Sequence, residues 1–193
     1  SILELLSVKE IAEEVEELDS DDAVDLIAEL PEARQAAVIA QIEDDGRAQD
    51  IQELLAYDED SAGGLMAKEL VKVNENWTVT KCVREMRTQA SEVKRVHSIY
   101  VVDDENKLIG RLSLKDLLTA NDKAKVKSVY IPKVDYVSIS EQGEEVAKLM
   151  AKYDLEAVPV VDDEKKLLGR ITIDDIVDFI KEEADKDLSL IHI

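Results

Sequence analysis

The chain has 193 residues, with 45 acidic and 24 basic side chains, a formal net charge of −21 and only 4% aromatic residues. That length allows one or two domains able to bury a core, and the charge disfavours nucleic acid and anionic lipid as partners while favouring cations. The one cysteine, Cys82, excludes an intrachain disulfide framework and a Cys-based zinc site, as expected of a reducing, cytoplasmic setting.

Residues 1–65 hold 20 acidic against 3 basic side chains, whereas residues 66–193 hold 25 against 21. The asymmetry divides the chain in two. The opening SILELLSVKE has neither the basic start nor the apolar centre of a secretory signal, and no apolar run reaches the roughly 18 residues that span a bilayer. In the first part apolar residues recur at helical spacing, in Val8, Ile11, Val15 and Leu18 and again in Val24, Ile27 and Leu30, with Pro31 as a breaker. Asp19 or Ser20 and Asp58 or Ser61 are suitable caps, which predicts several short helices in a small superhelix with an anionic outer face.

The second part changes period. Short β-branched runs, 98–102 and 157–161, alternate with helical stretches at 83–87 and 146–153, which predicts mixed α/β modules. An internal repeat is more decisive: VVDDENKLIGRLSLKDLL from Val101 and VVDDEKKLLGRITIDDIV from Val160 agree at ten of eighteen positions. Each copy reads strand, helix, strand, acidic turn, strand, and then a helix from Leu114 or Ile173. The first copy carries about five extra residues around Ala90 to Lys94.

Several tempting signals have ordinary explanations. Cys82 falls at core spacing between Val79 and Met86, and His97 and His192 are too isolated to form a metal site. Asn76-Trp77-Thr78 is a chance glycosylation triplet in an intracellular chain, and the run from Asp103 lacks the Gly and closing Glu of an EF-hand. No Ser/His/Asp set, P-loop or dinucleotide fingerprint is present, so an enzyme is not expected.

The repeated element Gly110, Ser113, Asp116 and Gly169, Thr172, Asp175 resembles the signature of tandem CBS (cystathionine-β-synthase-type) domains. With an acidic helical domain ending in Asp60-Ser61-Ala62-Gly63-Gly64-Leu65-Met66 ahead of the pair, the chain resembles the cytosolic region of MgtE-type magnesium transporters over residues 5–187. The resemblance implies an α+β chain: an N-terminal all-α superhelical domain, 1–65, a first CBS domain, 66–125, a second, 126–187, and a tail, 188–193. It further implies the soluble part of a membrane protein on the cytoplasmic side, a homodimer, and a transmembrane pore domain outside this sequence.

In that family Mg²⁺ bridges the helical domain to the CBS pair and favours the closed pore. Mg²⁺ seeks hard oxygen ligands and keeps several waters, so one or two carboxylates per ion suffice. Motif matching implies Asp21 and Asp25 as ligands on the helical domain, and their i, i+4 spacing puts them on one helix face. On the second CBS domain it implies Asp174, Asp175, Asp178, Asp154, Glu144 and the carbonyl of Ala151; Lys186 stands where the family often has an acid. Read without the family, Asp21 and Asp25 equally suit an acidic first helical turn, and Asp178, Glu182 and Glu183 a solvated helix face. The CBS signature also implies adenine-nucleotide binding, ATP or AMP, through Ser113, Asp116, Thr172 and Asp175, with Arg111 or Arg170 near phosphate. The alternative function is thus a nucleotide-sensing module whose acidic domain docks a partner protein.

Overall fold

The structure, a computed structural model, describes residues 2–191. His192 and the end of the expected 188–193 tail lie outside the described residues.

Four short helices form the acidic domain: α1 (Val8–Glu17), α2 (Ser20–Ala28), α3 (Glu32–Gln41) and α4 (Asp45–Leu55). Ser7 and Glu10 make a reciprocal capping box at α1, Pro31 sits at the N-cap of α3, and the Asp44 carboxylate accepts from the Arg47 N–H at α4. The periodic apolar residues Ile11, Val15, Val24, Ile27 and Leu30 are buried with Val38, Ile51 and Leu54, so the superhelix is held by one apolar seam. A single-turn helix, α5 (Ala62–Leu65), capped by Ser61, then leads into the repeated modules.

Each module has the element order read from the repeat. The first runs β1 (Val71–Asn74), α6 (Val79–Glu92), β2 (Ile99–Val102), β3 (Leu108–Leu112) and α7 (Leu114–Thr119). The second runs β4 (Val137–Ser138), α8 (Gly143–Lys152), β5 (Ala157–Val161), β6 (Leu167–Thr172) and α9 (Ile173–Ile191). In both sheets the first two strands are parallel and the last two antiparallel, with a register shift at Val101/Val102 and, equivalently, Val160/Val161. α9 continues through Ile191, across the boundary expected at 188.

The modules pair about a pseudo-twofold. Their acidic turns meet: the Leu108 N–H donates to the Lys165 carbonyl and the Leu167 N–H to the Asn106 carbonyl. Asp103 and Asp162 each accept two backbone N–H groups of their own turn, which is the structural reason for the acids there. The segment entering each module pairs with the last strand of the other, Ala67 with Arg170 and Ile131 with Arg111. A Cβ on Gly110 would lie 2.3 Å from the Ile131 carbonyl oxygen and one on Gly169 2.5 Å from that of Ala67, so both copies require glycine before the arginine.

The helical domain is packed onto the second module rather than tethered loosely. Ala62 and Met66 share one buried cluster with Val146, Met150, Val160 and Ile176, and the Ala62 and Gly63 N–H groups donate to the Glu141 and Ile139 carbonyls. Cys82 is fully buried, with burial pushing its thiol up to about 11, as suits a small core residue.

Candidate functional site

α2 and α9 turn two acidic helix faces toward one another. Between them lies a cavity of about 400 Å³ lined by Asp21, Asp22 and Asp25 of α2 and by Asp175, Asp178 and Glu182 of α9, with Glu59, Asp60 and Lys186 at its rim. Asp19, Asp21 and Asp22 can each present an oxygen within 4.8 Å of the others.

The electrostatics record how unfavourable this arrangement is for bare carboxylates. Burial, the facing charge of Asp175 and a hydrogen bond with it push the Asp21 carboxyl up to about 8. Asp25, at the open side of the cavity, is pushed up to about 6 by partial burial and then by Glu182, Asp22 and Asp175. Asp22 is raised in the same way, against a small opposing pull from Lys94.

The remaining contacts across this interface are engineered by residues distant in sequence. Asp19 stands at the N-cap of α2 without making the capping hydrogen bond; its carboxylate faces Arg170 instead, 3.6 Å away. Glu69, from the strand-like entry to the first module, takes over that cap: its carboxylate accepts from the Ser20 N–H at 3.0 Å and the Ser20 hydroxyl at 2.8 Å. Arg47 holds Glu69 at 3.3 Å while donating to the Val15 and Leu18 carbonyls, and Lys68 pairs with Glu53 at 2.9 Å.

Four of the motif-matched metal residues, Asp21, Asp25, Asp175 and Asp178, thus meet in one cavity. The structure does not bring the other four there. Asp174 is exposed on the first turn of α9, near His97. Glu144 is exposed at the start of α8. The Ala151 carbonyl accepts the Tyr153 N–H, and Asp154 adopts φ 51° just past the helix, the position of a helix-stopping residue. Asp22 and Glu182 join the cavity unpredicted as ligands; Asp22 had a visible signal, its place beside Asp21 on an acidic turn.

The nucleotide motif divides unequally between the modules. In the second, Asp175 accepts from the Thr172 N–H at 3.0 Å and the Thr172 hydroxyl at 2.8 Å and faces Arg170 at 3.6 Å, so the signature carboxylate is already engaged. The adjoining cleft, bounded by Glu69, Leu70, His97 and Arg170, retains only about 10 Å³. In the first, the Ser113 hydroxyl caps α7 by accepting from the Asp116 N–H at 3.4 Å, and the Asp116 carboxylate makes no hydrogen bond or ion pair among the described residues. The pseudo-equivalent cleft is open, about 270 Å³, between Arg111, Lys133, Tyr100, Leu155, Ala157 and Pro159; Ser113 and Asp116 do not line it. Tyr100 there is almost fully buried, and burial pushes its hydroxyl up to about 12.

Two small α/β modules paired head to head, with one cleft open and an acidic helical domain docked on the other, define a CBS-pair protein. The comparisons with known proteins agree: residues 1–60 match the MgtE intracellular N domain, and residues 62–123 and 126–182 match the CBS domain. Magnesium transporter MgtE of Thermus thermophilus is 43% identical over 139 residues, 72% of this chain and 31% of the relative. Among solved structures, the soluble part of a magnesium transporter superposes with a TM-score of 0.84 at 34% identity, covering 93% of this chain and 70% of that one. The cytosolic domain of the Mg²⁺ channel MgtE in complex with ATP gives 0.82 at 38% identity, covering 92% and 73%. The chain belongs to the MgtE magnesium-transporter family, in the portion formed by the N domain and the CBS pair. It spans about a third of the length of the curated relatives it matches, and among the described residues no helix is long and apolar enough to cross a membrane.

Proposed function

We propose that this chain is the Mg²⁺-sensing regulatory part of a magnesium transporter, in which Mg²⁺ bridges the acidic helical domain to the second CBS module and favours a compact, pore-closed state. The observation that carries this reading is the opposition of Asp21, Asp22 and Asp25 to Asp175, Asp178 and Glu182 across one cavity. Six carboxylates at that proximity repel one another when ionised, and a divalent cation between them reverses the sign of the interaction. Mg²⁺ keeps much of its water and needs few direct carboxylates, which suits an open cavity and an affinity on the order of millimolar. The ion binds the docked arrangement better than the splayed one and thereby shifts the population.

Dimerisation through the CBS pair has its own support. Leu114 and Leu118 of α7 and Ile173, Val177 and Ile180 of α9 are exposed at helical spacing, two apolar stripes at equivalent places in the two modules. Limited proteolysis tests the sensor reading: Mg²⁺, and not Na⁺ at equal ionic strength, protects residues 57–66, where the helical domain leaves the CBS pair. Equal cleavage in both solutions contradicts it.

A second reading, compatible with the first, is adenine-nucleotide binding. Its support is the open cleft with two cations and an apolar wall, together with the relative solved in complex with ATP. The nucleotide belongs in that cleft alone, because the equivalent one is filled by Glu69, Leu70 and Arg170. Arg111→Ala is expected to weaken ATP binding about tenfold, the worth of one charge-assisted phosphate contact, in an equilibrium titration. Unchanged affinity removes Arg111 from the site.

A further inference from the structure

We infer that Arg170 is a built-in counter-ion of the interdomain carboxylate cluster and sets the Mg²⁺ concentration at which the helical domain docks. The inference rests on the Mg²⁺-bridging reading for its physiological meaning and on the contacts of Arg170 for its physics.

The repeat places an arginine after the glycine in both modules, Arg111 and Arg170. Their fates differ. Arg111 is exposed and faces the open cleft. The Arg170 side chain is only 11% exposed and is fixed at three points: its Nε donates to the Glu69 carbonyl at 3.1 Å, one terminal nitrogen lies 3.6 Å from Asp19 and the other 3.6 Å from Asp175. The guanidinium therefore spans the interface, with a helical-domain carboxylate on one arm and an α9 carboxylate on the other. Asp175 is the same group that shares a hydrogen bond with Asp21.

A guanidinium stays charged at every accessible pH, and its fork can hold two carboxylates at once. Two other cations approach the cluster, Lys94 beside Asp22 and Lys186 at the cavity rim, both on exposed residues. Arg170 combines low exposure with contacts to both sides. It neutralises one charge inside the cluster permanently, so less divalent cation is needed to overcome the remaining repulsion.

The test follows radius of gyration by small-angle scattering across a Mg²⁺ titration of the full chain, wild type against Arg170→Gln, with a parallel measurement in EDTA. Glutamine keeps a donor for the Glu69 carbonyl and loses the charge. The Mg²⁺ midpoint is expected to rise roughly tenfold, with the same compact radius at saturation, and the EDTA radius to increase. An unchanged or lowered midpoint with an unchanged EDTA radius overturns the role of Arg170. A wild type indifferent to Mg²⁺, alongside an expanded variant in EDTA, overturns the bridging reading and leaves Arg170 as the clamp. Should Arg170→Gln lose its cooperative thermal transition, Asp19→Asn in EDTA decides. Relief of repulsion alone would compact that variant, whereas loss of the Arg170 bridge expands it.

Discussion

Replacing Asp21 and Asp25 together by asparagine is expected to make the compactness of this chain independent of Mg²⁺. Both residues lie on the face of α2 that meets α9, and both carboxyls are raised by burial and by the facing acids. Asparagine is close to isosteric with aspartate, so α2 and its packing through Ala23, Val24 and Ile27 stay in place. The substitution removes two of the three α2 charges that oppose docking and two of the oxygen ligands that would hold the ion. The expected scattering curve of the variant is the same in EDTA and in millimolar Mg²⁺, whereas the wild type is expected to differ between the two. A double variant that still compacts on Mg²⁺ addition would move the bridging ion away from this cavity.

The metal-free chain is also expected to open as pH rises. Asp21 at about 8 and Asp25 at about 6 are both above the ordinary 3.8 of an aspartate, so the docked state binds protons that the splayed state releases. Protonation therefore favours docking. That contribution is complete below the ordinary value and is lost as pH rises through about 6 and then about 8. The facing groups are Asp22, Asp175, Asp178, Glu182 and Glu29, with Lys94 and Lys186 as the nearby lysines. In EDTA the radius of gyration is expected to increase between acidic and mildly alkaline pH, and Asp21→Asn to remove the upper part of that change. Mg²⁺ bound at these carboxylates would compete with the protons, so its addition is expected to release them. A radius independent of pH in EDTA contradicts the carboxylate opposition itself.

Much of the architecture was legible because it is written locally. The helical period through Val8 to Leu30, the Pro31 break and the second period of the strands follow from side-chain spacing, and the ten identities in eighteen positions carry the module twice. The start of α7 at Leu114 and of α9 at Ile173 was readable from Ser113 and Thr172 ahead of them. The site was legible only in part. Asp21, Asp25, Asp175 and Asp178 could be reached through motif matching, and the structure gathers them. Glu69 capping α2 from 49 residues away could not be, because nothing in the local sequence distinguishes it from a solvated acid. Asp154 illustrates the converse: it matches a family motif, yet its left-handed backbone gives it a helix-stopping role independent of any ion. Arg170 and Arg111 are indistinguishable in the repeat and are separated by their surroundings: Arg170 meets Asp19 of the docked helical domain, the Glu69 carbonyl and Asp175, whereas Arg111 is exposed.

In the proposed mechanism Mg²⁺ draws the acidic helical domain onto the second CBS module. Small-angle scattering of the wild-type chain during a Mg²⁺ titration into the millimolar range, with Na⁺ at matched ionic strength as the control, tests it most directly, because ionic strength alone screens repulsion equally in both samples. The radius of gyration is expected to decrease saturably with Mg²⁺ and not with Na⁺. An identical radius in the two titrations would contradict it.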